Sequence, residues 1–209
     1  MKNNKIKKDK ISAIIFFILI IAIILFIVFF IYDCATAKKI ESDAVETIKE
    51  IDKIIEENKE NYENINEKVE NVEDQYMTAK INDKYVLGKI RIDKIKIEYP
   101  IIKYESEDSL WQSICKISNN NIDGKGNLCL AGHNMRNFTM FAKLKELEIG
   151  DYVEITNLVG QKYQYEVYEK KIINATDTSV LEDNENNILT MITCNGNSKK
   201  RLLIRAKII

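Results

Sequence analysis

The pattern of apolar and polar positions divides the chain into four segments. Residues 11–32 form an unbroken apolar run. As a helix rising about 1.5 Å per residue, this run is long enough for the roughly 30 Å hydrocarbon core of a membrane. Residues 33–80 carry apolar side chains at helical spacing, and residues 81–209 carry short runs typical of strands. The pattern predicts a polar tail over residues 1–10, a transmembrane helix, a helical stalk and a C-terminal domain large enough for one core.

The charges on either side of the apolar run indicate its orientation. Five lysines lie within residues 1–10, whereas residues 33–80 carry seven basic and fourteen acidic side chains. The positive-inside rule then places the N-terminus in the cytoplasm and everything after residue 33 outside. A cleaved signal peptide is the alternative, since Ala35-Thr36-Ala37 offers a small-x-small site, but the run is longer than a usual signal core. We therefore expect a single-pass protein of the cell membrane with an extracytoplasmic C-terminal domain.

The stalk has a heptad pattern between Ala44 and Tyr76, interrupted once by Asn58. Apolar residues recur there in alternating steps of three and four, without Pro or Gly. One interpretation is a dimerising coiled coil whose register Asn58 sets, and the other is a lone acidic spacer. The negative charge opposes self-association and favours the spacer, with a weak homodimer through the stalk as the alternative. The heptad positions are Ala44, Ile48, Ile51, Ile55, Asn58, Tyr62, Ile65, Val69, Val72 and Tyr76.

Residues 81–209 have mainly strand-like patterning. Apolar runs bounded by polar joints predict seven strands, with two short helices between them. The first helix is expected over residues 109–117 with an N-cap at Ser106 or Asp108, and the second over residues 140–147 with Thr139 as its cap. This content predicts a mainly β domain, a closed or nearly closed barrel of about seven or eight strands. The predicted strands cover residues 85–92, 95–104, 127–131, 152–158, 163–173, 188–194 and 201–209.

The composition argues against several classes of function. The formal net charge is −1, so no global basicity indicates a nucleic-acid partner. With four Cys, one His and no Cys-x-x-Cys pair, a structural zinc site is not expected. The acidic loop over residues 177–185 is not spaced like a calcium loop, and a solvated loop is favoured over a metal site. Neither a cofactor nor a resident metal is predicted.

Candidate chemistry lies at the ends of two predicted strands. His133, the single histidine, closes one strand and opens a loop. Cys194 ends an apolar strand, and Arg201 begins the next one after a polar turn. If these two strands pair as a hairpin, a thiol, a guanidinium and an imidazole within reach form an arrangement that stabilises a thiolate nucleophile. Considered separately, His133 could also be a surface or hydrogen-bonded histidine without a role, and Cys194 a buried structural cysteine.

The other three cysteines are expected to have no chemical role. Cys129 shares strand parity with His133, but a core position is favoured over a resolving thiol. Cys115 falls on the apolar face of the first predicted helix together with Trp111, which indicates packing. Cys34 follows the apolar run as an incidental free thiol, and no disulfide framework is expected.

Two motifs in this domain resemble those of a known enzyme family. Thr190-x-x-Thr193-Cys194 is followed by Arg201, and Gly132-His133-Asn134 lies upstream at a strand end. These parts, in this order, are similar to the sortase family of cysteine transpeptidases, and the resemblance extends over residues 86–209. A cytoplasmic tail, one membrane span and a linker are also what membrane sortases of Gram-positive bacteria carry. Further matching stretches are residues 87–92, 97–101, 131–135 and 138–144.

The resemblance implies roles for three residues. Cys194 would attack the scissile carbonyl of a sorting signal and form a thioacyl-enzyme, while His133 would act as general acid and then as general base. Arg201 would bind the substrate carbonyl or the developing oxyanion. Arg205 lies on the same strand face two pleats along and is the rival for this role. The family pattern places the arginine at the start of the strand, which favours Arg201.

The resemblance also implies partners. The expected donor is a surface protein with a C-terminal sorting motif of the Leu-Pro-x-Thr-Gly type, cut after its Thr. The expected acceptor is an amine of a peptidoglycan precursor or a pilin lysine. Two alternatives remain: a membrane-anchored thiol peptidase that uses the same Cys194 and His133 with water as acceptor, and a non-enzymatic anchored binding module.

Overall fold

The chain begins with one long helix, α1 (Lys2–Ile65). A computed structural model describes residues 2–65, 77–120, 122–182, 187–196 and 199–209, and it describes the side chains of α1 from residue 14 to residue 59. By its internal contacts the chain separates into two compact units, Met1–Lys39 and Ile40–Ile209.

In the first unit, α1 is apolar on all sides. Nearly all of its large apolar side chains between Ile14 and Tyr32 are at least half exposed. A helix that is apolar on all sides is suited to the interior of a lipid bilayer rather than to water. Its length and composition suffice to cross a membrane, so the predicted apolar helix is present and is a candidate membrane anchor.

In the second unit, α1 buries one stripe of side chains. Ile40 and Ala44 join the main hydrophobic core, whereas Ile51 and Ile55 form a smaller cluster with residues of two strands and a turn. Apolar positions that suggested a coiled-coil seam are therefore buried within the chain itself between residues 44 and 55. Heptad positions from Tyr62 onward lie outside the residues whose side chains are described. The smaller cluster consists of Ile51, Ile55, Ile81, Val86 and Leu158.

Polar contacts join the same stretch of α1 to the strands. The Asn58 Nδ2 donates a hydrogen bond of 2.9 Å to the carbonyl oxygen of Leu158. The Lys89 Nζ lies 2.7 Å from an oxygen of Asp52 on α1 and 2.9 Å from one of Glu98. Asn58 therefore satisfies a carbonyl of the barrel rather than setting a coiled-coil register in this structure.

In the described part of the chain nine strands follow, and eight of them close into a barrel. The sheet runs in the order β1-β2-β3-β4-β5-β8-β9-β7-β6, and β6 pairs again with β2. β1 pairs with β2 alone and extends its edge. The predicted closed barrel is thus confirmed. The strands are β1 (Ala79–Ile81), β2 (Lys84–Ile92), β3 (Ile97–Ile102), β4 (Ile114–Lys116), β5 (Asn127–Ala131), β6 (Tyr152–Asn157), β7 (Lys162–Asn174), β8 (Ile188–Cys194) and β9 (Lys200–Ile208).

The closure of the barrel depends on a glycine. Gly88 pairs with Ile101 of β3 on one side and with Asn157 of β6 on the other. Its φ is +149°, and a Cβ placed on it would lie 2.0 Å from the backbone oxygen of Thr156. A side chain at this position would push the two strands apart, so glycine is required where β2 bridges the sheet.

The centre of the barrel wall is formed by β5 and β8, which pair in parallel. Four of the five residues of β5 are buried, as are five of the seven residues of β8. Such continuous burial accounts for their mainly apolar sequences, which do not alternate between apolar and polar residues. A buried polar pair joins them, because the Thr190 Oγ1 donates a hydrogen bond of 2.7 Å to the Asn127 Oδ1.

All seven predicted strands are present, and the structure adds β1 and β4. Each of the added strands has three residues, too few for an alternating pattern to be visible. The first predicted helix is wrong in its second half. Helix α2 (Glu107–Gln112) ends early, and the chain becomes β4, which pairs in parallel with β3. Sheet pairing has here overridden local helix propensity.

The second predicted helix is present as a 3-10 helix, Phe141–Glu146, and its predicted cap is wrong. Met140 occupies the N-cap position with φ +53° and makes no side-chain cap hydrogen bond. The Thr139 hydroxyl instead donates to the Asn137 Oδ1 at 2.8 Å. Ser106, one of the two alternatives for the first helix, does cap α2, because its Oγ accepts a bond of 3.0 Å from the Ser109 N–H.

Candidate active site

The parallel pairing of β5 and β8 brings two candidate residues to one edge of the barrel. Parallel strands end on the same side, and Ala131 at the end of β5 is in register with Ile192 of β8. His133 follows β5 by two residues, and Cys194 is the last residue of β8. The barrel topology therefore places the imidazole and the thiol beside the same opening, although 60 residues separate them in sequence.

Hydrogen bonds tie the two strand ends together. The Thr193 Oγ1 donates to the carbonyl oxygen of Gly132 at 2.7 Å. The Asn134 Nδ2 donates to the carbonyl oxygen of Cys194 at 2.8 Å. His133 thus lies between two residues that are each bonded to the end of β8, and this restricts the distance between its loop and Cys194.

Arg201 comes to this edge from the neighbouring strand. β8 and β9 are antiparallel, and Cys194 is directly in register with Arg201. The predicted hairpin is present, with residues 197–198 of its connection outside the described part. The Arg201 Nη1 donates to the carbonyl oxygen of Lys200 at 3.1 Å.

A single groove of about 360 Å³ is lined by Cys194, His133 and Arg201 together. Much of the rest of the lining is aliphatic, and the carboxylates of Glu105 and Asp177 also border it. This volume lies at the small end of the range for ligand pockets. The aliphatic lining comes from Leu110, Ile117, Ala131, Ile173, Ala175, Val180, Leu181 and Ile192.

The imidazole of His133 is partly buried, and burial lowers its pKa below the ordinary value of 6.5. Its Nε2 is buried and has no hydrogen-bond partner among the described residues. The indole of Trp111 covers the ring, with the ring centroids 4.5 Å apart and the planes inclined by 37°. At neutral pH the ring is mostly uncharged, so it can accept a proton.

The loop after His133 folds back beneath the site. Gly132 has no room for a side chain, because a Cβ there would lie 2.8 Å from the ring of Phe141. The Phe141 N–H donates to the carbonyl oxygen of His133 at 3.1 Å, and Asn134 forms a bridge with Met140. The glycine before the histidine therefore permits the close packing that holds this loop.

The sequence matches one model of a known protein family. The model of the Sortase domain matches residues 90–209, which is more than half of the chain and includes all three candidate residues. The chain belongs to the sortase family.

Individual relatives agree with this assignment. The chain is similar to sortase A of Bacillus anthracis, with 31% identity over 126 residues that cover 58% of this chain and 60% of that protein. It is also similar to sortase A of Listeria monocytogenes, with 31% identity over 110 residues that cover 52% and 49%. The chain thus spans about half to three fifths of the length of these curated relatives.

Among solved structures, the fold is similar to the sortase D5 transpeptidase of Clostridium perfringens. The identity is 28%, the TM-score is 0.61, and the match covers 80% of this chain and 99% of that one. This match is longer than the family domain, so it includes part of the chain before residue 90.

In this sortase domain Arg205, the rival of Arg201, lies outside the groove. The Arg205 Nη1 lies 3.4 Å from the Glu169 Oε2, and its Nη2 donates to the carbonyl oxygen of Val180 at 3.3 Å. Arg205 does not border the groove that contains Cys194. Its contacts hold the turn at Val180, which itself borders the groove, so Arg205 supports the wall of the site.

Two contributions to the site were missed or misread in the sequence. The sequence pattern places Trp111 in the packing of a helix, yet this residue is 49% exposed and its ring stacks on His133. The misplaced helix end caused this error, because Cys115 lies on β4 rather than on the helix of Trp111. The bond from Asn134 to Cys194 was also missed, although Asn134 belongs to the Gly-His-Asn motif that could have indicated it.

The remaining cysteines are placed away from the groove. Cys115 and Cys129 are fully buried in the barrel, Cys34 is exposed, and these three and Cys194 form no disulfide. Burial, with a smaller contribution from the Glu105 carboxylate, raises the pKa of the Cys115 thiol to about 12, so this thiol is unreactive. Among the described residues, no cluster of three metal-ligating side chains occurs.

Proposed function

We propose that this chain is a membrane-anchored transpeptidase that cleaves a C-terminal sorting signal through a thioacyl intermediate on Cys194. The observation that carries the proposal is the register pair of Cys194 and Arg201 at the groove that His133 also borders. A nucleophile, a proton carrier and a cationic hydrogen-bond donor then lie along one cleft. Membership of the sortase family supports the same chemistry.

In the acylation step, the Cys194 thiol loses its proton to His133 and its sulfur attacks the carbonyl carbon of the scissile peptide bond. Arg201 stabilises the negative charge that develops on the carbonyl oxygen. The C–N bond breaks as the His133 imidazolium returns the proton to the leaving amine. Because burial lowers the pKa of His133, its cation gives up this proton readily.

In the transfer step, an acceptor amine attacks the thioester and His133 takes the proton that this amine loses. The C–S bond breaks, a new amide forms, and His133 returns its proton to the sulfur, which restores the Cys194 thiol. The donor is a surface protein with a motif of the Leu-Pro-x-Thr-Gly type, whose Leu and Pro side chains suit the aliphatic lining of the groove. The acceptor is an amine of a peptidoglycan precursor or a pilin lysine.

The location proposed for this reaction is the outer face of the cell membrane. The apolar part of α1 supports a single-pass anchor, and the five lysines before it favour a cytoplasmic N-terminus. The catalytic domain, residues 81–209, would then stand outside the cell, next to wall precursors and exported substrates.

The experiment is intact-mass spectrometry of the full chain in detergent micelles with a panel of sorting-signal peptides, with and without triglycine as acceptor. We expect an acyl adduct on the wild type that triglycine converts to an amide product. Cys194→Ala should give neither adduct nor product. Cys34→Ala removes the other solvent-exposed thiol and is the matched control, which should behave as the wild type does.

Each other outcome supports a different function. An adduct that yields only acid, at a rate unchanged by triglycine, would indicate a thiol peptidase. Failure of every peptide to acylate the chain, together with a Cys194 that iodoacetamide does not alkylate while Cys34 reacts, would contradict the catalytic assignment. That result would favour a non-enzymatic binding module.

A further inference from the structure

The indole of Trp111, which contacts His133, is carried by a short and well-anchored helix. Trp111 lies on α2, a helix of six residues that is hydrogen-bonded at both of its ends. The Ser106 side chain caps its start, and the Ser113 Oγ after its end donates to the carbonyl oxygen of Pro100 at 2.6 Å. The indole is therefore held in a defined place over the imidazole rather than on a free loop.

The imidazole has little else to orient it. In many catalytic sites a carboxylate or carbonyl accepts a hydrogen bond from the second ring nitrogen and determines the position of the ring. Within the described residues, the Nε2 of His133 has no such partner and is buried. Among the described contacts of the imidazole, the ring contact of 4.5 Å with Trp111 can take over this function.

We propose that Trp111 is a positioning residue for His133, which holds the imidazole toward Cys194 and stabilises its protonated form through the face of the indole. An aromatic face attracts a cation, and this attraction strengthens where water is partly excluded. It would act when His133 carries the proton between Cys194 and the leaving amine. The inference depends on the proposed function for its effect on turnover, whereas the effect on the His133 ring can be measured without any reaction.

The described charged groups near the imidazole lie on the groove and on α2. Glu105, Asp177 and Arg201 border the same groove, as does the thiol of Cys194. Glu107 and Asp108 lie in the first turn of α2, on the helix of Trp111. None of these groups is altered by a substitution at Trp111, so a change in the titration of His133 would report the loss of the indole itself.

The experiment uses the full chain in detergent micelles with ¹³C-labelled histidine. The chain has one histidine, so NMR resolves its ring signals without assignment. In Trp111→Leu, which keeps an apolar side chain without an aromatic face, we expect the pKa of His133 to fall by about 0.5. The ring protons should lose the upfield shift that a stacked indole causes, and kcat should fall about tenfold with KM little changed. Trp111→Phe keeps a ring and should restore most of each effect.

Tyr152→Leu is the matched control. Tyr152 is 53% exposed, close to the 49% of Trp111, and lies outside the groove, so its replacement should leave the His133 signals and kcat unchanged. The proposal is overturned if Trp111→Leu leaves the ring shifts as in the wild type, or if the pKa of His133 stays the same or rises, as it would if the indole only buried the ring. It is also overturned if Trp111→Phe behaves like Trp111→Leu. If no peptide acylates the chain but the NMR effects appear, the positioning contact stands and the proposed function fails.

Discussion

Two surfaces of the barrel, the groove and the face covered by α1, differ in how completely their side chains are buried and hydrogen-bonded. Where α1 lies on the strands, Ile51 is fully buried and Asn58 is hydrogen-bonded to a strand carbonyl. At the groove, the Nε2 of His133 has no described partner, Trp111 is half exposed, and Cys194 is partly accessible. Unpaired polar atoms and exposed rings cost stability, and they are found where a substrate would supply the missing contacts.

Because the two surfaces differ in this way, stability and chemistry can be separated by substitution. Changes at the groove should alter turnover and leave the free energy of unfolding almost unchanged. Substitutions under α1 should lower the free energy of unfolding and leave turnover almost unchanged. Two substitutions test this separation, and a third measurement follows the small pH-dependent effect of His133 on stability.

The largest effect is expected at Arg201. Arg201→Ala should lower turnover by about 10²–10³-fold, because one donor to the developing oxyanion is lost. The free energy of unfolding should change by no more than about 0.5 kcal/mol, as for other surface substitutions. Peptide-transfer kinetics and urea unfolding of the full chain in micelles measure both. Lys200→Ala is the control at the neighbouring strand position, and an equal loss of turnover there would argue against a specific role for Arg201.

The second effect is expected under α1. Ile51→Ala should destabilise the second unit by about 2–5 kcal/mol, because a fully buried isoleucine leaves a cavity. Turnover should remain near that of the wild type at temperatures where the variant is folded. Val45→Ala on the same helix changes a side chain that is 52% exposed and should cost far less. Equal unfolding midpoints for the two variants would mean that this stretch of α1 adds nothing to the fold.

The smallest effect is a pH dependence of stability that originates at the groove. Because burial lowers the pKa of His133 in the folded chain, the unfolded chain binds a proton more strongly below about pH 6.5. The histidine therefore makes the folded state less stable as the pH falls from 6.5 through the lowered pKa. Urea unfolding between pH 7 and pH 5 should show a steeper loss in the wild type than in His133→Gln. Parallel curves would mean that the groove does not desolvate the ring.

Much of the fold was predictable because it depends on local pattern. Strands such as β5 and β8 have mainly apolar sequences bounded by polar segments, and the predicted bounds of both agree with the observed ones. β4 could not be predicted, because its three residues become a strand through pairing with β3 and β5. The heptad positions of α1 illustrate the same limit, since periodicity identifies a buried face without saying what covers it.

The apolar helix, the strand content of the barrel and the motifs around His133, Cys194 and Arg201 can be identified without the fold, because each depends on the length of an apolar run, on periodicity or on residues close together in the chain. The contacts of Ile51 and Asn58 with the barrel, and the stacking of Trp111 on His133, cannot be identified in this way, because they join residues distant in sequence. Their partners are selected by barrel closure and strand register, which no local pattern encodes.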